Sequence, residues 1–559
     1  MVFIKFMGSQ MGRVVRVIVG VGLIAVGVGA ISGGGGWVLA ALGGLPLAAG
    51  LFDFCIVAPM LGYPFAGRDL RAKARAVGLP MLRTSRGRSP WVGTLAIVAA
   101  CKPHASNHGV PIASPPVGLD QSGAGVVSAQ GRPGISPEAA ARQGGDWTAF
   151  ARAGDRESRV DARGADGRSL SVSWRFATAG AIPLEGPPLA GDMKTTAYTI
   201  GLPVGPSLSR GIVLAGSDAG YPYALEAETG ALVWSRPLWN MAMVNPLVVG
   251  DTVFVTTGNP YYNFSETLKF ASGERAVRGP GLNGLYALDL ATGAERWHLF
   301  TPGENMPTPV AADGVVYFAS GDGFAYAVDA QSGAVRWKSD VKAIDGMSSP
   351  LLADGRLLFG GSHPDLFVAL DVRDGKVLWT RAIADPTPAG FGAATAAFAG
   401  GKVFVEELVK TGEPGKPVAN RLFALDPATG KSAWEQELGR GAKPKGFATA
   451  TPAVVGDIVY VSSIVNETTH ALAVGDGRQV WATRVPGAGA GLVVGDARVY
   501  VAAGPRLVAL DRKSGELQGA IAVGGHQGPA TPLLAGETLI VTNMYGWVQA
   551  FPTEAFRPQ

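Results

Sequence analysis

A unit of four short strands that recurs eight times is the feature that most constrains how this chain can fold. In the clearest copy, Thr308 to Trp337, the dipeptides Asp313-Gly314, Asp322-Gly323 and Ser332-Gly333 separate runs of β-branched and aromatic residues. Glycine supplies the positive φ that tight turns between strands need. The copies begin near Ser207, Asn245, Thr308, Ser349, Thr395, Thr451, Ala490 and Thr531. Such repetition is typical of propeller blades, so the sequence predicts an all-β propeller.

The two ends of the repeat array are incomplete in complementary ways. The last copy stops at Val548 to Phe551 without a fourth strand, whereas Ser171 to Phe176 resembles a fourth strand that precedes the first copy. Joining them would pair a strand edge that otherwise invites aggregation. We therefore expect the N-terminal strand to complete the last blade and to close an eight-bladed ring.

A tryptophan follows the third turn glycine by four residues in six of the copies, whereas the seventh copy has Gly519 at that place. A fixed offset is typical of side chains that pack between adjacent blades, where burial of each indole adds stability. We therefore expect a structural role for Trp174, Trp234, Trp297, Trp337, Trp379, Trp434 and Trp481.

Charge is distributed unevenly along the chain. Residues 1 to 100 hold 10 Lys and Arg against 2 Asp and Glu, and the remainder holds 38 against 42. A propeller that binds nucleic acid would need clustered basic residues, so this class of partner is disfavoured. The cysteines are Cys55 and Cys101, so no disulfide can form within the propeller.

The N-terminal region contains two apolar spans, Val14 to Ile31 and Trp37 to about Met60. Each is long enough to cross most of a hydrocarbon core. Basic residues precede the first span and follow the second, so the positive-inside rule predicts a transmembrane hairpin with both ends in the cytoplasm. We assign residues 1–67 to the hairpin and 68–80 to a basic cytoplasmic linker. A buried globular helix pair is the alternative.

This hairpin resembles the YgaP-like two-helix inner-membrane domain, which also occurs fused to rhodanese sulfurtransferases. The resemblance rests on Arg13-Val-Val-Arg-Val-Ile-Val-Gly20 and on Gly50-Leu-Phe-Asp-Phe-Cys-Ile-Val-Ala-Pro-Met-Leu-Gly62. Ile56 stands where that family usually has proline, and no rhodanese nucleophile loop is present. The resemblance therefore implies membrane insertion and no sulfur transfer.

Residues 81–101 have the layout of a lipoprotein signal. A basic stretch precedes a short apolar run, Trp91 to Ala100, and small residues lead to Cys101. The segment resembles a lipobox, which implies lipidation of Cys101. The alternative is one more membrane span, and either interpretation places the following residues in the periplasm. Translation could begin at Met1 or Met81, and processing at Cys101 would yield an outer-membrane lipoprotein.

Residues 102–145 are rich in Pro, Gly, Ser and Ala, which predicts a flexible tether before the propeller at 146–559. His104 and His108 lie close to Cys101, but a flexible segment does not preorganise a metal site.

Within the propeller, the elements Tyr-Ala-Leu-Asp, Thr-Gly and Trp resemble the pyrroloquinoline-quinone (PQQ) repeat, as in Tyr286-Ala-Leu-Asp289. That family includes quinoprotein dehydrogenases and BamB, a non-catalytic lipoprotein of outer-membrane assembly. The resemblance implies the propeller fold for residues 146 to 551. Because one fold serves both classes, the site residues must decide the function.

The dehydrogenase alternative depends on few residues. Thr257-Gly-Asn259-Pro resembles the segment whose Asn binds calcium beside the quinone, which implies Asn259 as a PQQ and calcium ligand and Glu304 as the catalytic candidate. However, the neighbouring cysteines of those enzymes are absent, Glu304-Asn-Met-Pro replaces their Asp-rich run, and no Cys-x-x-Cys-His haem site occurs. The site chemistry is therefore incomplete.

Two long insertions, Gly258 to Asn283 and Glu406 to Asn420, are expected on the face that also carries the connections between blades. Insertions concentrated on one face are typical of a binding surface. The methionines nearby could instead pack the mouth of the central channel. The residues that we assign to partner binding are Tyr261, Tyr262, Phe264, Met243, Met306 and Met347.

These features favour a membrane-tethered periplasmic propeller that binds envelope proteins or polymers without catalysis, similar to BamB in outer-membrane protein assembly. A PQQ- and calcium-dependent alcohol or sugar dehydrogenase is the alternative, and a sensor of small ligands is a third hypothesis. The sequence does not identify the partner.

Overall fold

The computed structural model describes residues 126–127, 159–179, 181–184, 204–258, 277–279, 281–343, 347–362, 364–382, 394–444, 451–527 and 530–556. They form eight β-sheets, each one blade of an eight-bladed propeller, as predicted. The predicted hairpin, Cys101 and most of the predicted tether lie outside the described residues. No helix within the described part is long and apolar enough to cross a membrane.

Blades 1 to 7 are four-stranded antiparallel sheets whose strands follow one another in the chain. Blade 1 consists of β4 (Ser207–Ser209), β5 (Ile212–Ala215), β6 (Tyr223–Glu226) and β7 (Leu232–Ser235). Blade 2 consists of β8 (Leu247–Val249), β9 (Thr252–Thr257), β10 (Asn283–Asp289) and β11 (Glu295–Thr301). Blade 3 consists of β12 (Val310–Ala312), β13 (Val315–Ala319), β14 (Phe324–Asp329) and β15 (Val335–Asp340).

The next four blades repeat this arrangement. Blade 4 consists of β16 (Leu351–Ala353), β17 (Arg356–Gly361), β18 (Leu366–Asp371) and β19 (Val377–Ala382). Blade 5 consists of β20 (Ala397–Ala399), β21 (Lys402–Lys410), β22 (Val418–Leu425) and β23 (Ser432–Gly441). Blade 6 consists of β24 (Ala453–Val455), β25 (Ile458–Ser463), β26 (Thr468–Ala473) and β27 (Gln479–Arg484). Blade 7 consists of β28 (Ala488–Val494), β29 (Arg498–Ala503), β30 (Arg506–Asp511) and β31 (Leu517–Ala522).

Blade 8 is assembled from both ends of the described chain. Its strands run in the order β1 (Val126–Val127), β3 (Trp174–Ala177), β34 (Trp547–Pro552), β33 (Thr538–Thr542), β32 (Leu533–Ala535) and β2 (Arg159–Val160). The expected ring closure is the antiparallel pairing of β3 with β34, which places Trp174 opposite Ala550. The parallel strand β2 was not anticipated, and Arg159 there forms an ion pair with Asp496 of blade 7.

Strand direction alternates within each blade, so the connections divide between two faces. The turns that join first to second and third to fourth strands share one face, here called the turn face. The loops that join second to third strands and the connections between blades share the other, here called the loop face. The loop face therefore carries the insertion after Gly258 and the end of the long hairpin β21–β22.

A chain of hydrogen bonds runs from blade to blade around the innermost strands. The main-chain N–H of Asn245 donates to Thr308 Oγ1, that of Thr308 donates to Ser349 Oγ, and that of Ser349 donates to Thr395 Oγ1, each at 3.1 Å. These are the residues that open the repeats. The small hydroxyl side chains of Thr308, Ser349 and Thr395 therefore link consecutive blades.

The hydrophobic core lies between adjacent blades. Phe254 and Leu285 of blade 2, for example, pack with Val316 and Phe318 of blade 3, and all four are fully buried. Because each blade is buried on both sides, its middle strands are apolar without strict alternation.

The tryptophan of each fourth strand packs on a turn glycine of the next blade. Trp337 Nε1 donates to the main-chain oxygen of Val372 at 2.9 Å, and a Cβ on Gly375 would lie 2.6 Å from the indole ring. Blade 7 has Gly519 instead, because blade 8 is built from two chain ends and has no turn between its third and fourth strands. The same two contacts are made by Trp174, Trp234, Trp297, Trp379, Trp434 and Trp481.

Candidate active site

The end of the second strand is the position where blade 5 departs from the other blades. Blade 5 has Glu406–Glu407 there, and both side chains are fully buried. The equivalent pairs are Gly216–Ser217, Thr256–Thr257, Ala319–Ser320, Gly360–Gly361, Ser462–Ser463, Ala502–Ala503 and Thr542–Asn543.

Small residues are needed at the first of these two positions because it faces the connection to the next blade. Thr256 Oγ1 donates to the main-chain oxygen of Pro307 at 2.8 Å, and a Cβ on Gly216 would collide with the main-chain oxygen of Ala242. Glu406 places a carboxyl in this tight space, where its Oε2 accepts a hydrogen bond of 2.7 Å from Asn420 Nδ2. Burial raises the pKa of Glu406 well above its usual value, and the Asn420 hydrogen bond opposes this only partly.

Glu407 lies on the opposite side of β21 from Glu406, and it is close enough to Asp365, in the loop that precedes β18 of blade 4, for the charge of Asp365 to affect it. Burial raises its pKa strongly, and the nearby negative charge of Asp365 raises it further. Neither carboxylate oxygen of Glu407 has a side-chain hydrogen-bond partner within the described part of the chain. A carboxyl in this setting is favoured in its neutral form, which can donate a proton.

Asp365 is half-buried and forms the second member of this carboxyl pair. Burial raises its pKa to about 6, although the positive charge of Lys410 acts in the opposite direction. Its Oδ1 is buried without a hydrogen-bond partner among the described residues. Both carboxyls therefore hold a proton more firmly than a free carboxyl does, which makes the pair a candidate for proton transfer.

A second buried charge cluster lies on the loop face between blades 2 and 3. Arg278 Nε is 2.6 Å from Glu304 Oε1, and the two side chains are 9% and 0% exposed. Burial raises the pKa of Glu304, and the guanidinium of Arg278 opposes this shift. Further round the same face, burial alone raises the pKa of Asp218 in blade 1 well above its usual value.

The structure places the residues singled out from the sequence in different settings. Met243 is buried, and Met306 and Met347 are half-buried on the loop face. Glu304 is buried against Arg278. Four predicted binding residues and the predicted lipidation site lie outside the described residues: Asn259, Tyr261, Tyr262, Phe264 and Cys101.

The sequence analysis did not single out Asp365, Glu407 or Arg278. Two acidic residues inside the apolar run Val403 to Val409 were a readable signal, because the other copies have mostly small residues there. Instead, the segment from Glu406 to Asn420 was interpreted as an insertion. It is mostly paired strand, since β21 and β22 run to Lys410 and from Val418.

The described residues fit a calcium and quinone site poorly. Glu304, the catalytic candidate of the dehydrogenase alternative, is fully buried and ion-paired with Arg278. A cation at this carboxylate would lie against the guanidinium and be repelled by it. No group of three or more acidic, histidine or cysteine side chains that could hold a metal occurs within the described ranges.

The chain belongs to the PQQ-repeat propeller family. The family model described as outer membrane protein assembly factor BamB matches residues 156–276, 281–470 and 465–554. Residues 8–68 match a second model, the transmembrane domain of inner membrane protein YgaP-like, so the chain is membrane-associated through its N-terminal region.

Within the propeller family, the chain is similar to tetrathionate hydrolase of Acidithiobacillus ferrooxidans, at 32% identity over 399 residues, 68% of this chain and 80% of that protein. It is 25% identical to BamB of Yersinia pestis over 232 residues, 41% of this chain and 54% of that one. A solved structure, BamB from Moraxella catarrhalis, gives a TM-score of 0.47 at 17% identity and covers 63% of this chain and 96% of that chain.

Proposed function

We propose that this protein is a membrane-associated hydrolase that cleaves the sulfur–sulfur bond of tetrathionate or a related sulfur oxyanion. The observation that carries the proposal is the pair of Asp365 and Glu407 on the loop face. Burial raises the pKa of both carboxyls, Lys410 opposes the shift at Asp365, and Asp365 adds to it at Glu407, so the two groups suit the roles of base and acid. The similarity to tetrathionate hydrolase over 80% of that protein supports the choice of substrate.

The proposed step needs one water and no other reactant. Asp365 accepts a proton from water as the oxygen attacks a terminal sulfonate sulfur of tetrathionate. The bond from that sulfur to its neighbouring bridging sulfur breaks, and Glu407 gives its proton to the departing sulfur. Tetrathionate dianion and water thus yield hydrogensulfate and the anion HSSSO3⁻, so that atoms and charge balance. A second proton exchange returns the carboxyl pair to its starting state.

The proposal places the propeller in the periplasm. Basic residues on both sides of the N-terminal hairpin favour cytoplasmic ends, so the apolar run before Cys101 would lead the rest of the chain outward. Lipidation at Cys101 would add a second anchor. A sulfur oxyanion from the surroundings would reach a periplasmic site without crossing the inner membrane.

The experiment measures tetrathionate consumption by the full-length protein in detergent. Turnover is expected for the unmodified protein, and Glu407→Gln should lower kcat by about 10² to 10⁴-fold because the proton donor is lost. Asp365→Asn should lower it by a similar factor. Glu516→Gln, at an exposed carboxyl on the turn face, is the matched control and should retain full activity.

Two results would contradict the proposal. The unmodified, folded protein could show no turnover of tetrathionate, or Glu407→Gln could remain as active as the Glu516→Gln control. Thermal unfolding of each variant separates loss of chemistry from loss of fold.

A non-catalytic scaffold is the second candidate. Trp239, Leu282 and Phe300 are 53%, 53% and 41% exposed on the loop face around blade 2. Exposed aromatic side chains are common in the centre of protein interfaces. The family model named after BamB supports this candidate, which requires no turnover.

A further inference from the structure

The ion pair of Arg278 and Glu304 is more deeply buried than the other ion pairs that the described residues form. Its side chains are 9% and 0% exposed, whereas Arg296 and Asp289 are 34% and 28% exposed. Removing two charges from water is energetically costly. A pair at this depth on the loop face therefore calls for an explanation beyond stability.

Main-chain hydrogen bonds hold the two residues in place. Arg278 N–H donates to the Gly321 oxygen at 2.8 Å, Glu304 N–H donates to the Arg278 oxygen at 3.1 Å, and Gly321 N–H donates to the Glu304 oxygen at 2.8 Å. A Cβ on Gly279 would collide with the Glu304 carboxylate, and one on Gly321 would lie 3.2 Å from Glu304 Cγ. Glycine is thus required on two sides of this carboxylate.

Glu304 is a poorly satisfied partner for Arg278. Within the described residues, neither of its carboxylate oxygens makes a hydrogen bond of good geometry, and the contact to Arg278 is an ion pair through Nε. Burial favours the neutral form of Glu304, and Arg278 favours the charged form. The ion pair with Arg278 therefore requires Glu304 to be ionised, although burial makes its ionised form energetically costly.

We propose that Arg278 is the receptor for an oxyanion group of the ligand, and that Glu304 occupies this receptor as an internal counter-ion until the ligand displaces it. A planar guanidinium binds sulfonate, sulfate or phosphate oxygens through paired N–H donors. The displaced Glu304 takes up one proton and stays buried in its neutral form. The choice of a sulfur oxyanion as ligand rests on the proposed function, whereas the receptor itself rests on this geometry.

Competition between Glu304 and the ligand makes an unusual prediction. Glu304→Gln keeps the shape of the side chain and removes its charge, so a bound anion no longer has to displace a carboxylate. We expect thiosulfate to bind this variant about tenfold or more tightly than the unmodified protein. A purely structural ion pair would behave in the opposite way, because the variant would lose the ion pair with Arg278 and weaken the fold around it.

The experiment is calorimetric titration of the full-length protein in detergent with thiosulfate, repeated in two buffers of different ionisation enthalpy. The unmodified protein should take up close to one proton per anion bound and should bind more tightly as the pH falls. Glu304→Gln should bind more tightly and without proton uptake, and Arg278→Gln should not bind. Asp289→Asn, at the exposed pair with Arg296, is the matched control and should leave affinity unchanged.

The proposal is overturned if Glu304→Gln folds but binds thiosulfate no more tightly than the unmodified protein, or if folded Arg278→Gln retains the affinity. If Arg278→Gln fails to fold, the thiosulfate affinity of the Glu304→Gln variant still tests the proposal. Tighter binding without any tetrathionate turnover would support the receptor while contradicting the hydrolase. Tetrathionate turnover that depends on Glu407, without tighter thiosulfate binding by Glu304→Gln, would support the hydrolase while contradicting the receptor.

Discussion

At the level of single residues, the packing of a tryptophan on the next blade explains both the repeat and its exception. Trp337 lies on Gly375, and six more tryptophans make equivalent contacts. Gly519 replaces the tryptophan where the following blade lacks the receiving turn. The turn glycine that receives the indole, such as Gly375, is therefore required by the neighbouring tryptophan as well as by its own positive φ.

Two glycines of blade 4 separate these two requirements. Gly375 and Gly355 both have φ of 73°, but a Cβ would lie 2.6 Å from Trp337 at Gly375 and would meet nothing within 4 Å at Gly355. Alanine should cause similar backbone strain at both positions and a clash only at Gly375. We expect Gly375→Ala to lose about 1 to 3 kcal/mol more stability than Gly355→Ala, measured by urea unfolding. Equal losses of stability in the two variants would show that the packing of Trp337 on Gly375 does not contribute to the free energy of unfolding.

At the level of elements, ring closure depends on one short strand from the beginning of the propeller. Phe176 of β3 is fully buried in a cluster that includes Leu533 and Val548 from the end of the chain. Such contacts between distant parts of the chain form only after the intervening blades have assembled. The stability of blade 8 therefore depends on closure of the ring.

Phe176→Ala should destabilise the whole propeller by about 3 to 5 kcal/mol because it opens a cavity in the closing blade. Arg175→Ala, at the half-buried neighbouring position, is the control and should cost little. Thermal unfolding of both variants measures the difference. If Phe176→Ala unfolds at the same temperature as its control, closure by β3 contributes no stability.

The sequence was sufficient for the repeat and for its closure because both depend on local periodicity and turn chemistry. Eight repeat starts and the complementary ends predicted the blades and the pairing of β3 with β34. The candidate site could not be predicted in this way. Asp365 and Glu407 belong to different blades, so their approach depends on how blades 4 and 5 pack. Arg278 reaches Glu304 from within an insertion that has no counterpart in other repeats.

At the level of the whole molecule, several carboxyl groups with pKa values shifted in opposite directions lie on the two faces. On the turn face, hydrogen bonds and arginines lower the pKa of Asp329 and Asp371, so these groups stay ionised. On the loop face, burial raises the pKa of Glu304, Asp365 and Glu407. These three carboxyls hold a proton more firmly than free carboxyls do, which suits them to proton transfer.

The pH dependence of tetrathionate turnover tests the central claim most directly. Asp365 must be ionised to act as the base, so kcat/KM should rise as the pH increases through about 6. It should fall again at higher pH, where Glu407 loses its proton. The positive charge of Lys410 lowers the pKa of Asp365. Removing this charge should therefore raise the pKa of Asp365 and make its carboxylate harder to form.

The decisive comparison is therefore the acidic limb of this profile in the unmodified protein, in Lys410→Ala and in Lys402→Ala, a control at the other end of the same strand. The account predicts a limb near pH 6 that moves to higher pH in Lys410→Ala and stays in place in Lys402→Ala. An acidic limb that is absent, or that does not respond to Lys410, would contradict the assignment of Asp365 and Glu407 as the reaction centre.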